Sequence, residues 1–169
     1  MMTRRCGSMV GGVAVVLGGL FLAAPAHAQV KDTLDLDKIP QQVMDALRAR
    51  FPRAEIRQWT REEEDDIVLY DIEFTQQGRK LEADIKEDGT IHNWEREIAA
   101  DDLPASVRTA VEREYPESTL EEVMAITAVT EGTEALEGYE IVLETADGKE
   151  IEVTVAPDGT ILERPEAMR

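Results

Sequence analysis

Cysteine is nearly absent: Cys6 is the one thiol in 169 residues. It precedes an apolar run, and the small-residue sequence Ala26-His27-Ala28 closes that run. If the chain is cut after Ala28, the thiol leaves with the leader, and disulfides and thiolate chemistry are both excluded from what remains. Histidine is equally scarce. His27 leaves too, so His92 stands alone, and one imidazole among carboxylates makes a poor transition-metal site. Beyond the leader the serines are Ser106 and Ser118, and neither lies in a nucleophile-elbow pattern. Carboxylates are so abundant that their number selects no acid–base pair. The expectation is that the chain is not an enzyme and holds no cofactor and no dedicated metal site.

Positive charge is scarce as well. The sequence has 18 Lys and Arg against 36 Asp and Glu. Arg4 and Arg5 are the only charges before Gln29, so the mature part carries a still larger negative excess. Such a surface repels phosphate backbones and anionic lipid, which argues against nucleic-acid and membrane-surface binding. It suits solubility, a basic protein partner, or weak association with divalent cations.

Long hydrophobic runs are missing except at the start. Arg4 and Arg5 precede the uncharged apolar stretch 10–24, and Ala26-His27-Ala28 follows. Charged start, short apolar middle and small-residue cleavage site define a secretory signal. The run is shorter than the roughly 20 residues of a membrane-crossing helix. Two arginines alone do not make a twin-arginine signal. We therefore expect a signal peptide over 1–28, a periplasmic or secreted location, and no membrane insertion after cleavage.

The remainder repeats itself. Ile39-Pro40-Gln41-Gln42-Val43 matches Leu103-Pro104-Ala105-Ser106-Val107, and Phe51-Pro52 matches Tyr115-Pro116 at the same offset. Gly78-Arg79-Lys80-Leu81-Glu82 matches Gly148-Lys149-Glu150-Ile151-Glu152, and Asp88-Gly89-Thr90-Ile91 matches Asp158-Gly159-Thr160-Ile161. Each copy begins with a helical face: Val43, Ala46, Leu47 and Phe51 in the first, Val107, Ala110, Val111 and Tyr115 in the second. Pro40 and Pro104 suit the first helical position, and Pro52 and Pro116 end the helices. Period-two alternation follows, with Tyr70, Ile72 and Phe74 facing one way and Asp71, Glu73 and Thr75 the other. Gln77-Gly78, Asp88-Gly89, Asp147-Gly148 and Asp158-Gly159 punctuate the strands as hairpin turns.

The resulting expectation is an α+β fold of two tandem α-β-β-β-β modules. Each has one helix packed on its own four-stranded antiparallel sheet. The first strand of each copy, 55–59 and 120–130, is the least clearly patterned. The boundaries are a lead-in over 29–38, a first repeat over 39–100, a second over 101–164 and a tail over 165–169.

The pattern of Leu-Pro-x-x-Val, aromatic-Pro, Tyr-x-hydrophobic, Gly-Lys and Asp-Gly-x-Ile resembles the PepSY-like, β-lactamase-inhibitor-like family. Leu103, Pro104, Val107, Tyr115, Pro116, Tyr139, Gly148, Lys149 and Asp158 through Ile161 carry it in the second copy. The resemblance spans about 39–162. It implies exported, often duplicated modules that bind proteins and inhibit or regulate envelope enzymes, with no catalytic residue in the motif.

Several candidates remain. Asp84, Asp88, Gly89, Ile91 and Glu95 fall at calcium-loop spacing, but Lys86 occupies a ligand position and the flanks are strands, so a hairpin is the better reading. Glu62, Glu63, Glu64, Asp65 and Asp66 form the densest acidic run, placed in a loop between the first two strands. Glu131, Glu134 and Glu137 form its sparser counterpart. Both read either as solvated loops or as contacts for a cationic patch. Trp59 and Trp94 are two of few aromatics, and at the corresponding positions the second copy has Val123 and Arg164. They read either as partial core or as exposed anchors for a partner. The favoured function is an acidic interaction module for a protein with a basic surface patch. The alternative is an extracytoplasmic divalent-cation, or calcium, binder.

Overall fold

In the computed structural model, residues 34–64 and 67–165 are described. The expected signal peptide, Asp65, Asp66 and the last four residues lie outside them. Among the described residues, α1 (Gln41–Arg50) and α2 (Ala105–Glu114) accompany eight strands. These are β1 (Glu55–Glu64), β2 (Ile67–Gln76), β3 (Arg79–Lys86) and β4 (Ile91–Glu97), then β5 (Thr119–Thr130), β6 (Thr133–Glu144), β7 (Glu150–Val155) and β8 (Ile161–Glu163).

Helix α1 follows Pro40, which is extended at φ −55 and ψ 145, so the proline caps the helix one position before its expected place. Pro104 repeats this at φ −56 and ψ 145 before α2. Both helices end one residue before an aromatic-proline pair. The apolar face of α1 buries Val43, Met44 and Leu47 against Tyr70, Ile72, Phe74, Leu81, Ala83 and Ile85. That of α2 buries Val107, Ala110 and Val111 against Val123, Ala125, Tyr139, Ile141, Leu143, Val153 and Val155.

The expected pair of separate four-stranded sheets is not what forms. The eight strands make one antiparallel sheet in sequence order, β1 to β8. The two halves are joined where β4 pairs with β5, with Asn93 facing Ala128, Glu95 facing Ile126 and Glu97 facing Met124. Two separate modules would each expose a row of unpaired backbone N–H and C=O groups at this edge, and joining satisfies both rows. Strand β5 shows the consequence in its side chains. Val123, Met124, Ala125 and Ile126 are all buried, on the helix-packed face and on the other face alike.

The two expected acidic loops are also replaced by strand. Glu64 ends β1 facing Ile67 at the start of β2, and Thr130 faces Thr133, so β5 and β6 run to a turn of two positions. Glu62, Glu63 and Glu64 therefore continue β1 instead of lying in a loop.

The Asp-Gly turns that end β3 and β7 pack on the starts of the helices. Gly159 has φ +90, and a Cβ there would lie 2.7 Å from the Ser106 carbonyl oxygen. Ser106 Oγ donates to the Pro157 carbonyl in the same contact, at 2.7 Å. Gly132 also has positive φ, +77, but nothing lies within 4 Å of its Cβ position. Gly159→Ala is expected to cost about 2 kcal/mol or more, against about 1 kcal/mol for Gly132→Ala, in denaturant unfolding. Equal losses would show that the turn does not bear on the helix.

Candidate functional site

Directly opposed residues of an antiparallel ladder point to one face of the sheet. The β4–β5 register places Trp94 opposite Thr127 and Arg96 opposite Ala125. The cores under α1 and α2 therefore lie on the same face. The alternate residues of every strand face the other way, and among the described residues no helix packs there.

That open face is rich in carboxylates. Asp71 faces Asp84 across β2–β3, and Glu73 faces Glu82. Glu82 in turn faces Glu95 across β3–β4, and Asp84 faces Asn93. Beyond the seam, Glu122 lies on β5 and faces Val142. Glu140 on β6 faces Thr154, and Glu152 on β7 faces Val142. Like charges directly opposed repel, so rows of this kind cost stability unless protons or cations intervene.

One cation is built in. Lys80 Nζ bridges Glu82 at 2.9 Å and Glu122 at 2.7 Å, reaching from β3 past β4 to β5. Burial pulls its pKa down, but the bonds to Glu122 and Glu82 outweigh that and hold it above the ordinary lysine value. The reach across a strand fits a sheet that curls over this face, and bulges in β1, β4, β5, β6 and β8 strengthen such curling.

The centre of the face is deeply buried. Asn93 is 2% exposed and Glu95 6%, and Ile126 beside them is fully buried. Nδ2 of Asn93 and Oε2 of Glu95 have no hydrogen-bond partner. Burial, then repulsion from Glu82, Asp84 and Asp71, pushes the Glu95 carboxyl well above its ordinary range. Burial and the facing Asp84 raise Asp71 to about 8. Burial raises Asp84 to about 6, although Asn93 across the ladder restrains it without reaching hydrogen-bonding geometry. Glu140 and Glu152 are also raised, first by burial. At neutral pH the face therefore holds protons that ordinary carboxyl groups would release.

The sequence-derived candidates distribute differently. Glu62 faces Leu69 on the open face, where its charge bears on Asp71 and Asp84. Glu63 is exposed on the opposite face and pairs with Arg61 at 2.9 Å. Glu64 ends β1, and Asp65 and Asp66 lie outside the described residues. Glu131 occupies the β5–β6 turn with φ +52. Glu134 accepts two hydrogen bonds from Arg50, from Nε at 2.8 Å and from Nη2 at 3.1 Å, tying the β5–β6 arm to the end of α1. Glu137 is half-buried on β6 and acts on the charge of His92, whose pKa burial lowers.

The two tryptophans lie on the helix-covered face and pack against the first core. Trp59 stacks 6.2 Å from Tyr70. Trp94 meets Phe51 edge-on at 5.9 Å, and Arg50 sits over its ring at 5.0 Å. In the second half Arg164 takes the place of Trp94 and pairs with Glu114, which takes the place of Arg50. Asp84 and Glu95, set aside with the calcium-loop spacing, both prove to be members of the buried carboxylate group. Among the described residues, no group of three or more His, Cys, Asp or Glu is arranged to hold a metal ion.

The model of the PepSY-like, β-lactamase-inhibitor-like family matches residues 27–93 and 68–163. The chain belongs to this family. The PepSY-like fold recurs in solved structures of low identity. A periplasmic protein from Bacteroides eggerthii is 19% identical, covering 74% of this chain and 86% of its own, with a TM-score of 0.58. A BLIP-like protein from Bacteroides fragilis is 21% identical, covering 77% and 88%, with a TM-score of 0.52. A DUF2874 family protein from Bacteroides uniformis is 17% identical, covering 73% and 86%, with a TM-score of 0.57. Protein DNA-DAMAGE INDUCIBLE 1 of Arabidopsis thaliana is 35% identical over 86 residues, which span 51% of this chain but only 20% of that protein. The expected periplasmic or secreted location agrees with the description of the B. eggerthii protein. Among the described residues no helix is long and apolar enough to cross a membrane.

The raised carboxyls set a pH dependence. An acid whose folded pKa exceeds its unfolded value binds more protons when folded, so its contribution is full below the unfolded value and is lost as pH rises through the folded one. With Asp84 near 6 and Asp71 near 8, that loss falls between about pH 4 and 8. The melting temperature is expected to be about 5 °C or more higher at pH 5 than at pH 8. Glu95→Gln should flatten the dependence by removing one buried carboxyl. A melting temperature that rises from pH 5 to 8 would mean the face is freely hydrated.

Proposed function

We propose that this PepSY-like protein is an exported, non-catalytic interaction module. It binds an envelope or secreted protein through the open face of its sheet and so inhibits or regulates it. One observation carries the reading: a continuous eight-stranded face with acidic rows on both sides of its seam, left uncovered by either helix. Family membership supports a protein partner, as does the likeness to a protein described as BLIP-like. The carboxylate excess favours a partner with a basic patch, since complementary charge steers encounter and suppresses wrong partners. Within this reading Glu62 belongs to the binding face, whereas Glu63 lies on the opposite face, Glu131 lies in the β5–β6 turn, and Trp59, Trp94 and Glu134 brace the scaffold behind it.

A cation-binding role is the second reading. Its support is the repulsion among the facing carboxylates, which a divalent ion would relieve. The lack of a converging ligand set ranks it second.

The test is affinity capture from periplasmic extract with tagged protein beginning at Gln29. A protein retained by the wild type is expected to be lost with Asp71→Asn plus Glu82→Gln and kept with Glu63→Gln plus Glu131→Gln. Retention by the open-face variant would remove that face from the account. If no protein is retained above salt-sensitive background, the interaction reading fails.

A further inference from the structure

The seam between the halves has a second side. On the helix-packed face, α1 seals its core on β2 and β3, and α2 seals its own on β5, β6 and β7. Over β4 and β5, between the two cores, lies a groove of about 620 Å3. The ladder registers build its floor. One row runs through Leu81, Arg96, Ala125 and Tyr139, from β3 to β6, and Leu136 lies one row further, opposite Thr127. Ala125 and Tyr139 are buried, whereas Leu136 is 49% exposed. An apolar floor beside an exposed leucine is ground that an apolar group of a ligand can cover.

Two arginines set this groove apart. Arg96 stands in a row of core residues at the gap between the cores. Because Leu81 faces Arg96, Arg79 on β3 is the diagonal neighbour of Arg96. Both line the groove and both are exposed. Among the described residues neither has an ion-pair or hydrogen-bond partner, although the chain sets 36 Asp and Glu against 18 Lys and Arg. Glu97 and Asp102 share the lining without pairing with either. The repeat shows what is missing. Lys149, which matches Arg79, pairs with Asp147 at 2.7 Å, and the first half has Gln77 where Asp147 stands in the second. The first half therefore lacks the carboxylate that neutralises this position. Neighbouring guanidinium groups repel, and a carboxylate between them turns that repulsion into attraction.

We infer that this groove receives a short segment of a partner protein in which an acidic side chain adjoins an apolar one. The carboxylate lies between Arg79 and Arg96, and the apolar side chain covers Leu136 and Tyr139. Charge complementarity names this occupant, since it gives two unpaired cations the partner that the chain itself does not supply. Guanidinium forks hold a carboxylate through paired N–H donors, which fixes its direction as well as its charge. Glu97 and Asp102 select a peptide over a fatty acid, because they accept the N–H groups that a peptide backbone offers and an alkyl chain lacks. The site goes beyond the interaction reading above: it lies on the opposite face of the sheet and takes the opposite charge.

The experiment titrates the mature chain from Gln29 with acetyl-Ala-Glu-Leu-Ala-amide, with its Gln and Lys counterparts, and with sodium octanoate, at about 150 mM salt. NMR follows the Leu136 methyl and Arg96 Nε–H signals. The Glu peptide is expected to move both and to bind more tightly than the other three. Net charge alone would rank the Lys peptide first, so the acidic surface as a whole cannot produce this order. Arg79→Gln and Arg96→Gln should each weaken binding of the Glu peptide at least about tenfold. Arg113→Gln, the same charge change at an exposed position on α2, should leave it within about twofold. All three side chains are exposed, so the variants are expected to fold, and their melting temperatures check this. Equal losses in the three variants would reduce the effect to net charge and overturn the inference. Equal binding of the Gln peptide would overturn it too, as would unmoved signals, or octanoate bound as tightly as the Glu peptide. None of these results bears on the open face, whose partner is lost through Asp71→Asn plus Glu82→Gln instead.

Discussion

The β4–β5 ladder is the contact on which the molecule depends. Without it, each half would be one helix on a four-stranded sheet of about 65 residues, a size at which a single core is marginal. Each half would also end in an unpaired edge. The ladder removes both edges, fixes both helices on one side, and leaves the other side continuous from β1 to β8. The arm formed by β5 and β6 adds a second link, because Arg50 at the end of α1 holds Glu134 while lying against Phe51 and Trp94. This ion pair is partly exposed, so its own contribution is modest, but the stacked arginine fixes the arm to the first half.

Joining the halves has an electrostatic consequence. It brings Glu140 and Glu152 of the second half within range of Glu82 and Glu95 of the first. The carboxyl groups cannot all ionise at such spacing in a shielded environment, so several keep their protons. Lys80 relieves one row. The rest remains in tension at neutral pH, a state that a bound cationic group would release.

Much of the fold was legible in the sequence. Helix ends followed from Pro40, Pro52, Pro104 and Pro116, and the alternation in β2 assigned Tyr70, Ile72 and Phe74 to the core and Asp71 and Glu73 to the opposite side. The seam was not legible, because strand pairing between distant segments leaves no local period. Its one trace was the unbroken run Val123-Met124-Ala125-Ile126, which lacks alternation because β5 is buried on both faces. Missing the seam also hid the site. Asp71 was legible as lying opposite the core, and Asp84 and Glu95 as positions of a calcium-loop spacing, but nothing along the chain marked them as members of one group. The acidic run at 62–66 drew attention by its density, yet alternation sends Glu62 and Glu63 to opposite faces, so density along the chain did not translate into density in space.

The central claim is that both halves contribute to one shielded carboxylate group, and a carbon-13 NMR titration of the Glu95 side-chain carboxyl tests it most directly. Measured in the intact chain and again in Glu152→Gln, Glu95 should titrate well above the ordinary glutamate range and shift downward when the carboxylate across the seam is removed. Titration near the ordinary value, or no response to the substitution, would contradict a shared group and with it the single open face.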